Sequence, residues 1–240
     1  MFVWSPGQPP KRIAEGVWLV RGGVPLKIMN VYLIEDAGGV TLFDAGVAVM
    51  TDAVAAAGAH LGGIVRVVLG HADADHRGTA PSLGAPVYCH EDDRAAAESP
   101  SAFRDYWDMA KLRTPVHVVM PKLLRHWDGG AVPIAGTLAE GDEVAGFRVI
   151  HLPGHAPGLI GLFRAADRLA LCSDCIYTLD VQTGIRGRPR VPHPAFNLDT
   201  EQARSSIRRL ADQEPAVVWP GHANPVRGDV RAQLTRAAAA

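Results

Sequence analysis

The sequence predicts an α/β fold in which two β-sheets pack together and helices cover their outer faces. Short β-branched or aromatic runs recur in both halves of the chain, and Gly, Asp or Pro closes each one. Stretches of helical period follow strands in each half. Because no low-complexity linker divides the chain, we expect a single domain spanning residues 1 to 240.

The first half opens with three closely spaced strands, interpreted as an antiparallel meander: "GVWLVRG", "NVYLIED" and "VTLFDAG". The stretch "TDAVAAAGAHL" predicts a helix, with Thr51 as its N-cap and Gly62 and Gly63 at its end. The strands "VRVVLG" and "PVYCH" follow. Residues 92 to 126 are interpreted as a helical and irregular insert.

The second half repeats this order. Its predicted strands lie in "TLAEGDEVAGFRVIHLPGH", "LIGLFRA", "RLALCSD" and "AVVWPGH". A helix is expected over "DTEQARSSIRRLAD", with Asp199 as N-cap and Gln202 closing a capping box. The stretch "DVRAQLTRAAAA" predicts a final helix.

Composition excludes several classes of function. The formal net charge is −1, which gives no reason to expect a nucleic-acid or anionic membrane surface. No run approaches the roughly 20 apolar residues of a membrane helix. The N-terminus lacks the basic-then-apolar order of a signal peptide, and three cysteines are too few for a disulfide framework. We therefore expect a cytoplasmic protein.

Metal-capable side chains follow four strand ends in Gly- or Pro-rich turns. The densest group lies in "VVLGHADADHRG", and the others lie in "LPGHAPG", "LCSDC" and "WPGHANP". A lone histidine at such a position would be unremarkable, but a repeated arrangement of imidazoles and carboxylates predicts a metal site. The candidate ligands are His71, Asp73, Asp75, His76, His155, Asp174 and His222.

This pattern resembles that of the metallo-β-lactamase superfamily, H-x-H-x-D-H followed by His, Asp and His at later strand ends. The stretches "NVYLIED", "LFDAG", "PGHAPG" and "PGH" are similar to its flanking blocks. The resemblance implies an αββα sandwich of two mixed sheets, with two metals at one edge. It also implies one set of ligands per metal and one shared ligand: His71, Asp73 and His155 for the first metal, Asp75, His76 and His222 for the second, and Asp174 bridging both.

Asp73 departs from the family pattern, which has a histidine at that position. Loss of the first metal is one interpretation. However, a carboxylate is a competent zinc ligand and suits harder ions better than imidazole does. Two divalent ions would also balance three aspartates and one bridging hydroxide. We therefore expect two divalent ions, with Zn²⁺ favoured and Mn²⁺ or Fe²⁺ as alternatives.

The absence of a Gly-x-Ser-x-Gly elbow and of a catalytic Cys-His pair favours water as the nucleophile. Two metals would lower its pKa to about 7, and Asp75 could both bind metal and accept a proton. Tyr177 follows Asp174 in a D-x-x-Y arrangement. In lactone-cleaving members of the family such a tyrosine faces the substrate carbonyl; the alternative is a tyrosine that anchors a loop.

The leading hypothesis is a dinuclear-metal hydrolase that attacks a small-molecule lactone or ester with a metal-bound hydroxide. A glyoxalase II-like thioesterase is the alternative, although only eighteen residues (223 to 240) follow His222, too few for that branch's helical extension. A β-lactamase and a di-iron oxidoreductase resembling the flavodiiron proteins are further alternatives. The sequence leaves a homodimer open.

Three other features carry competing interpretations. Cys172 and Cys175 form a C-x-x-C that is either a redox pair or two buried small side chains. The basic stretch from Arg186 to Arg190 is either a solvated loop or a grip on a substrate carboxylate. The insert is expected to cover the site and to offer apolar side chains to a substrate: Phe103, Tyr106, Trp107, Met109 and Leu112.

Overall fold

A computed structural model describes residues 10–240 and contains two main β-sheets. The N-terminal stretch used above to assess targeting lies largely outside the described residues. The first sheet has seven strands in chain order. They are β1 (Lys11–Ala14), β2 (Val17–Gly22), β3 (Met29–Asp36), β4 (Gly39–Phe43), β5 (Ile64–Val68), β6 (Val87–Cys89) and β7 (Ile134–Thr137). Strands β1 to β4 pair antiparallel and β4 to β7 pair parallel, so this sheet is mixed.

The second sheet has five strands in the order β14-β11-β10-β9-β8. They are β8 (Glu143–Val144), β9 (Phe147–His151), β10 (Ile160–Arg164), β11 (Leu169–Leu171) and β14 (Val217–Trp219). Only β11 and β14 pair parallel, so their carboxyl ends lie at the same edge of the sheet. A separate two-stranded hairpin is formed by β12 (Tyr177–Leu179) and β13 (Arg186–Arg190).

Six α-helices lie within residues 10–240. They are α1 (Thr51–His60), α2 (Ala74–Arg77), α3 (Glu91–Ala97), α4 (Val116–Trp127), α5 (Thr200–Asp212) and α6 (Val230–Ala239). None of the helices in residues 10–240 is long and apolar enough to cross a membrane.

Three apolar clusters hold the layers together. Between the sheets, Tyr32 and Phe43 of the first belong to one buried cluster with Phe147, Ile160 and Trp219 of the second. A second cluster joins the outer face of the first sheet to α1, α3 and α4, and a third joins the other outer face to α5 and α6. Each sheet thus buries both faces, which confirms the predicted αββα sandwich.

Of the predicted helix caps, the N-cap at Thr51 and the capping box at Gln202 were wrong, and the N-cap at Asp199 was right. Thr51 is the first residue of α1, and its hydroxyl donates back to the Ala48 carbonyl at 2.7 Å instead of capping the helix. Asp199 does cap α5 by accepting from the backbone of Glu201 and Gln202. No reciprocal capping box forms, because the Asp199 N–H already donates to the Gly154 carbonyl at 2.9 Å.

The structure also changes the interpretation of the basic stretch and adds detail to that of the insert. The basic stretch read as a loop is strand β13. The insert contains all of α3 except its first residue, most of α4 and one short 3₁₀ turn (Met109–Lys111), with irregular chain between them. The single-domain organisation stays a prediction.

Candidate metal centre

All seven predicted ligands meet at one edge of the sandwich. His71 and Asp73 follow β5, and Asp73 sits at the N-cap position of the short helix α2, which carries Asp75 and His76. The remaining three come from the second sheet: His155 from the β9–β10 turn, Asp174 from a 3₁₀ turn after β11, and His222 from the turn after β14. The seven side chains converge because the strands that precede them all end at the same edge of the sandwich.

The first group contains His71, Asp73 and His155, all buried. The Nε2 atoms of His71 and His155 each lie 3.3 Å from Asp73 Oδ2. Three ligand atoms so close around one point can hold a single ion.

The second group contains Asp75, His76 and His222. Asp75 Oδ2 lies 3.4 Å from His222 Nε2 and 3.9 Å from His76 Nε2. Asp174 stands between the groups: its Oδ2 is 3.1 Å from His222 Nε2 and 3.7 Å from His155 Nε2. This is the placement that a bridging carboxylate requires.

Three of the four histidines are held by the ring nitrogen that faces away from the centre, whereas His222 Nδ1 has no hydrogen-bond partner among the described residues. His155 Nδ1 lies 3.1 Å from Asn197 Oδ1, His76 Nδ1 lies 3.0 Å from Asp44 Oδ2, and His71 Nδ1 lies 3.1 Å from Ser173 Oγ. The buried Nε2 atoms of His71 and His155 have no hydrogen-bond partner among the described residues. Since metal-binding histidines are oriented through their second nitrogen, this arrangement fits divalent ions.

Electrostatics at the centre favour a cation. Burial opposes a charged imidazole, but the carboxylates of Asp174, Asp44 and Asp75 outweigh it and raise the pKa of His76 well above its usual value. Burial likewise favours a neutral Asp174, yet His222 and His76 hold the pKa of that carboxyl well below its usual range. Carboxylates that stabilise a positive charge on His76 would stabilise divalent ions by the same Coulomb interaction.

Sequence reasoning missed Asp44 and Ser173, which support the histidines. Asp44 Oδ1 accepts from the Gly70 N–H at 2.8 Å, and Oδ2 accepts from the Ser173 hydroxyl at 2.8 Å. Both residues adopt left-handed backbone conformations, with φ of 58° and 45°. Such strain is typical of functional sites. A signal for Asp44 was available, because "LFDAG" also puts an acid at a strand end.

Arg77, although adjacent to the densest group, faces away from the centre. Its buried guanidinium donates to the carbonyls of Ala96 and Ser101, at 2.6 and 2.8 Å, and pairs with Asp128 at 3.0 Å. It anchors the chain after α3 and plays no part in the candidate centre.

Arg104, in contrast, enters the site from the insert and was also missed. Its Nε donates to Asp73 Oδ1 at 2.6 Å. Burial favours a neutral Asp73, but the charges of Arg104 and His71 outweigh it and hold the pKa of Asp73 well below its usual range. Asp73 therefore carries a stable negative charge.

A cavity of about 270 Å³ opens onto the centre. Asp73, Asp75, His155, Asp174 and His222 line its floor. Its walls come from the 23–28 loop, helix α4 and residues nearby, and are mostly apolar: Leu26, Ile28, Met29, Trp107, Val116, Val119, Leu123, Trp127 and Phe196. Among the described lining residues, Lys27 is the only lysine or arginine. The cavity thus has mostly apolar walls and a floor of imidazoles and carboxylates.

Tyr177 lines the same cavity from β12. Its ring lies edge-on to His222 and His155, with centroids 5.6 and 6.0 Å apart. Burial, then the charges of Asp174 and Asp75, raise the pKa of its phenol well above the usual value. The phenol therefore stays protonated and able to donate a hydrogen bond.

The insert contributes differently from the prediction. Of its five named apolar residues only Trp107 lines the cavity. Phe103, Met109 and Leu112 pack in or against the core of the first sheet, and Tyr106 lines a separate cavity. The insert lines the cavity mainly through other residues, those of helix α4, and the 23–28 loop provides the rest of the apolar walls.

The positions of the two cysteines and of the basic strand β13 bear on the competing interpretations given for them above. Cys172 and Cys175 are free and buried within the outer core of the second sheet, and burial raises the pKa of both thiols. No arginine of β13 is among the described residues that line the cavity at the candidate centre. Arg190 instead pairs with Asp180 at 2.7 Å. A grip on substrate by this strand is therefore not supported.

Comparison with known proteins identifies the family. Residues 25–222 match the Metallo-beta-lactamase superfamily, and the chain belongs to it. The probable metallo-hydrolase YflN of Bacillus subtilis is 28% identical, over 90% of this chain and 89% of that protein.

Solved structures share the fold. The metallo-beta-lactamase family protein TTHA1429 of Thermus thermophilus superposes with a TM-score of 0.70 and 26% identity, covering 95% of this chain and 80% of that one. The protein TTHA1623, solved in a di-iron-bound form, has a TM-score of 0.63 and 26% identity, covering 92% and 98%.

Gly221 offers a test of how tightly the centre is packed. A Cβ at this position would collide with Asp174 Oδ1 and His76 Cε1. We expect Gly221→Ala to displace these two side chains and to lower bound zinc, measured by elemental analysis, while circular dichroism shows an intact fold. Gly187→Ala is the control, because a Cβ there meets nothing closer than 3.8 Å. Equal zinc content in both variants would contradict the proposed crowding.

Proposed function

We propose that this protein is a metal-dependent hydrolase that cleaves lactones or carboxylic esters bearing an apolar group. The observation that carries the proposal is the floor of the cavity. Two groups of imidazole and carboxylate ligands, joined by Asp174, lie at the end of an apolar pocket. In this proposal His71, Asp73 and His155 hold one divalent ion, and Asp75, His76 and His222 hold the other.

Two ions bound there would supply a water-derived nucleophile at neutral pH and polarise the substrate carbonyl. The chain's own groups do the rest. Asp75, the most exposed of the three carboxylates, is placed to accept the proton released as water attacks. The protonated phenol of Tyr177 is placed to donate to the oxygen on which negative charge develops.

The apolar walls favour a lactone or ester over a glutathione thioester. Glutathione carries two carboxylates and an amine, which need charged or polar partners in a pocket. The described walls offer Lys27 as the only fixed cation outside the metal centre. An acyl chain or apolar ring, in contrast, gains free energy by leaving water for this cavity.

The identity of the ions is part of the proposal. Four imidazoles and three carboxylates suit Zn²⁺, which accepts both types of ligand. The oxygen of Asp73 also suits Mn²⁺ or Fe²⁺. TTHA1623, a solved structure of similar fold and 26% identity, in a di-iron-bound form, supports testing iron beside zinc.

The central experiment combines metal loading with a substrate panel. We expect two equivalents of Zn²⁺ or Mn²⁺ per chain, and loss of hydrolysis on chelation. Among acyl-homoserine lactones, γ- and δ-lactones, aryl esters and S-lactoylglutathione, kcat/KM should be highest for an apolar lactone or ester. One metal or none, or a preference for the thioester, would contradict the proposal.

The cavity walls permit a matched control for that panel. Val119 lines the cavity, whereas its neighbour Val118 does not, and both are exposed valines of α4. Val119→Phe should therefore shift the preference toward shorter acyl groups, and Val118→Phe should leave it unchanged.

Removal of the Tyr177 hydroxyl tests its role in the reaction. Loss of one donor to the developing oxyanion typically lowers turnover by about 100-fold. We expect Tyr177→Phe to show such a loss in kcat with unchanged metal content and melting temperature. Tyr106→Phe is the matched control, because that buried hydroxyl has no hydrogen-bond partner among the described residues and lines another cavity. Full turnover by Tyr177→Phe would show that the tyrosine only anchors its loop.

A further inference from the structure

The two oxygens of Asp73 face different partners. Oδ2 points toward the centre, 3.3 Å from the Nε2 atoms of both His71 and His155. Oδ1 points away from it and accepts from Arg104 Nε at 2.6 Å. Asp73 is 3% exposed, so neither oxygen has much contact with solvent. The carboxylate is therefore fixed in one orientation.

Arg104 is itself fixed from the other side. Its Nη2 donates to Asp93 Oδ2 at 2.8 Å, and the guanidinium side chain is 9% exposed. The fully buried Asp93 also accepts from the N–H groups of Ala72 at 2.7 Å and Gly158 at 3.3 Å. Because a guanidinium is a rigid planar fork, one end held by Asp93 determines where the other end meets Asp73.

We propose that Arg104 is a positioning residue that lets Asp73 act as a histidine would in the first metal site. The proposal rests on the proposed metal centre. A neutral imidazole offers one donor atom in one direction and brings no charge. A free carboxylate offers two oxygens and a full negative charge. With Arg104 on Oδ1, the pair presents one oxygen to the metal and has no net charge.

Asp93 does not prevent Arg104 from neutralising the charge of Asp73. Its carboxylate lies on the far side of the guanidinium, and its charge is already stabilised by two backbone N–H groups. It holds Arg104 in place and keeps the buried guanidinium from being an unpaired cation. Burial opposes a charged guanidinium, but Asp73 and Asp93 outweigh it and raise the pKa of Arg104, so it is permanently charged.

The pairing also changes what an Asp73→His substitution should do. A histidine alone would bring this residue into line with the family pattern. However, it would leave Arg104 Nε without its acceptor and direct a buried positive charge at the first metal. Asp73→His should therefore bind the first metal poorly, and adding Arg104→Met should improve it.

A double-mutant cycle on the full-length protein tests the proposal. Zn²⁺ affinity is measured by chelator competition for the wild type, Arg104→Met, Asp73→His and the double variant. Partners of metal ligands typically contribute about 10- to 100-fold in affinity. We expect Arg104→Met to weaken the first metal by about that factor when Asp73 is present. In the Asp73→His background, Arg104→Met should either leave the affinity for the first metal unchanged or raise it. The second metal serves as the internal reference.

An equal loss from Arg104→Met in both backgrounds would overturn the proposal, because Arg104 would then act only as a clamp on the insert. Arg104→Lys keeps the charge but lacks the rigid planar fork that spans the two carboxylates, so this variant should bind zinc with intermediate affinity. Arg94→Met is the control: it removes exposed ion pairs to Glu91 and Glu98 and should leave zinc binding unchanged. Fewer than two metals in the wild type would instead contradict the proposed metal centre.

Discussion

Mutual repulsion among buried carboxylates is the constraint on which this site depends. Asp73 and Asp174 are almost fully buried, and Asp75 lies close by. Such charges are costly in an apolar interior unless cations and hydrogen bonds compensate them. The histidines, Arg104 and the proposed divalent ions provide that compensation together. The fold supplies the strand ends that hold the ligand atoms of each group within 4.8 Å of one another.

The groups that compensate the negative charge of Asp73 extend well beyond the seven candidate ligands. The chain runs from Asp73 through Arg104 to Asp93 and from there to the backbone of Ala72 and Gly158. It ties the irregular part of the insert to the centre. In our proposal, Arg104, a partner 31 residues away, accommodates the change from histidine to aspartate, and the insert has a structural reason to lie where it does.

The sequence predicted which side chains meet at the centre better than it predicted the groups that support them. The seven candidates share a local signal, a metal-capable side chain in a Gly- or Pro-rich turn after an apolar strand, and such signals survive folding. Arg104 has no such signal, because it lies in irregular chain and its role comes only from tertiary contact. The cavity walls were misassigned for the same reason: the 23–28 loop and α4 meet over the site through long-range packing.

The central claim is that Asp73 serves a two-metal site through one oxygen while Arg104 holds the other. Anomalous diffraction at the zinc edge, from crystals of the zinc-loaded protein, tests this most directly. Two peaks are predicted, the first at about 2.0–2.2 Å from Asp73 Oδ2, with Oδ1 still bonded to Arg104. A single peak, or two peaks with Asp73 turned away from both, would contradict the account.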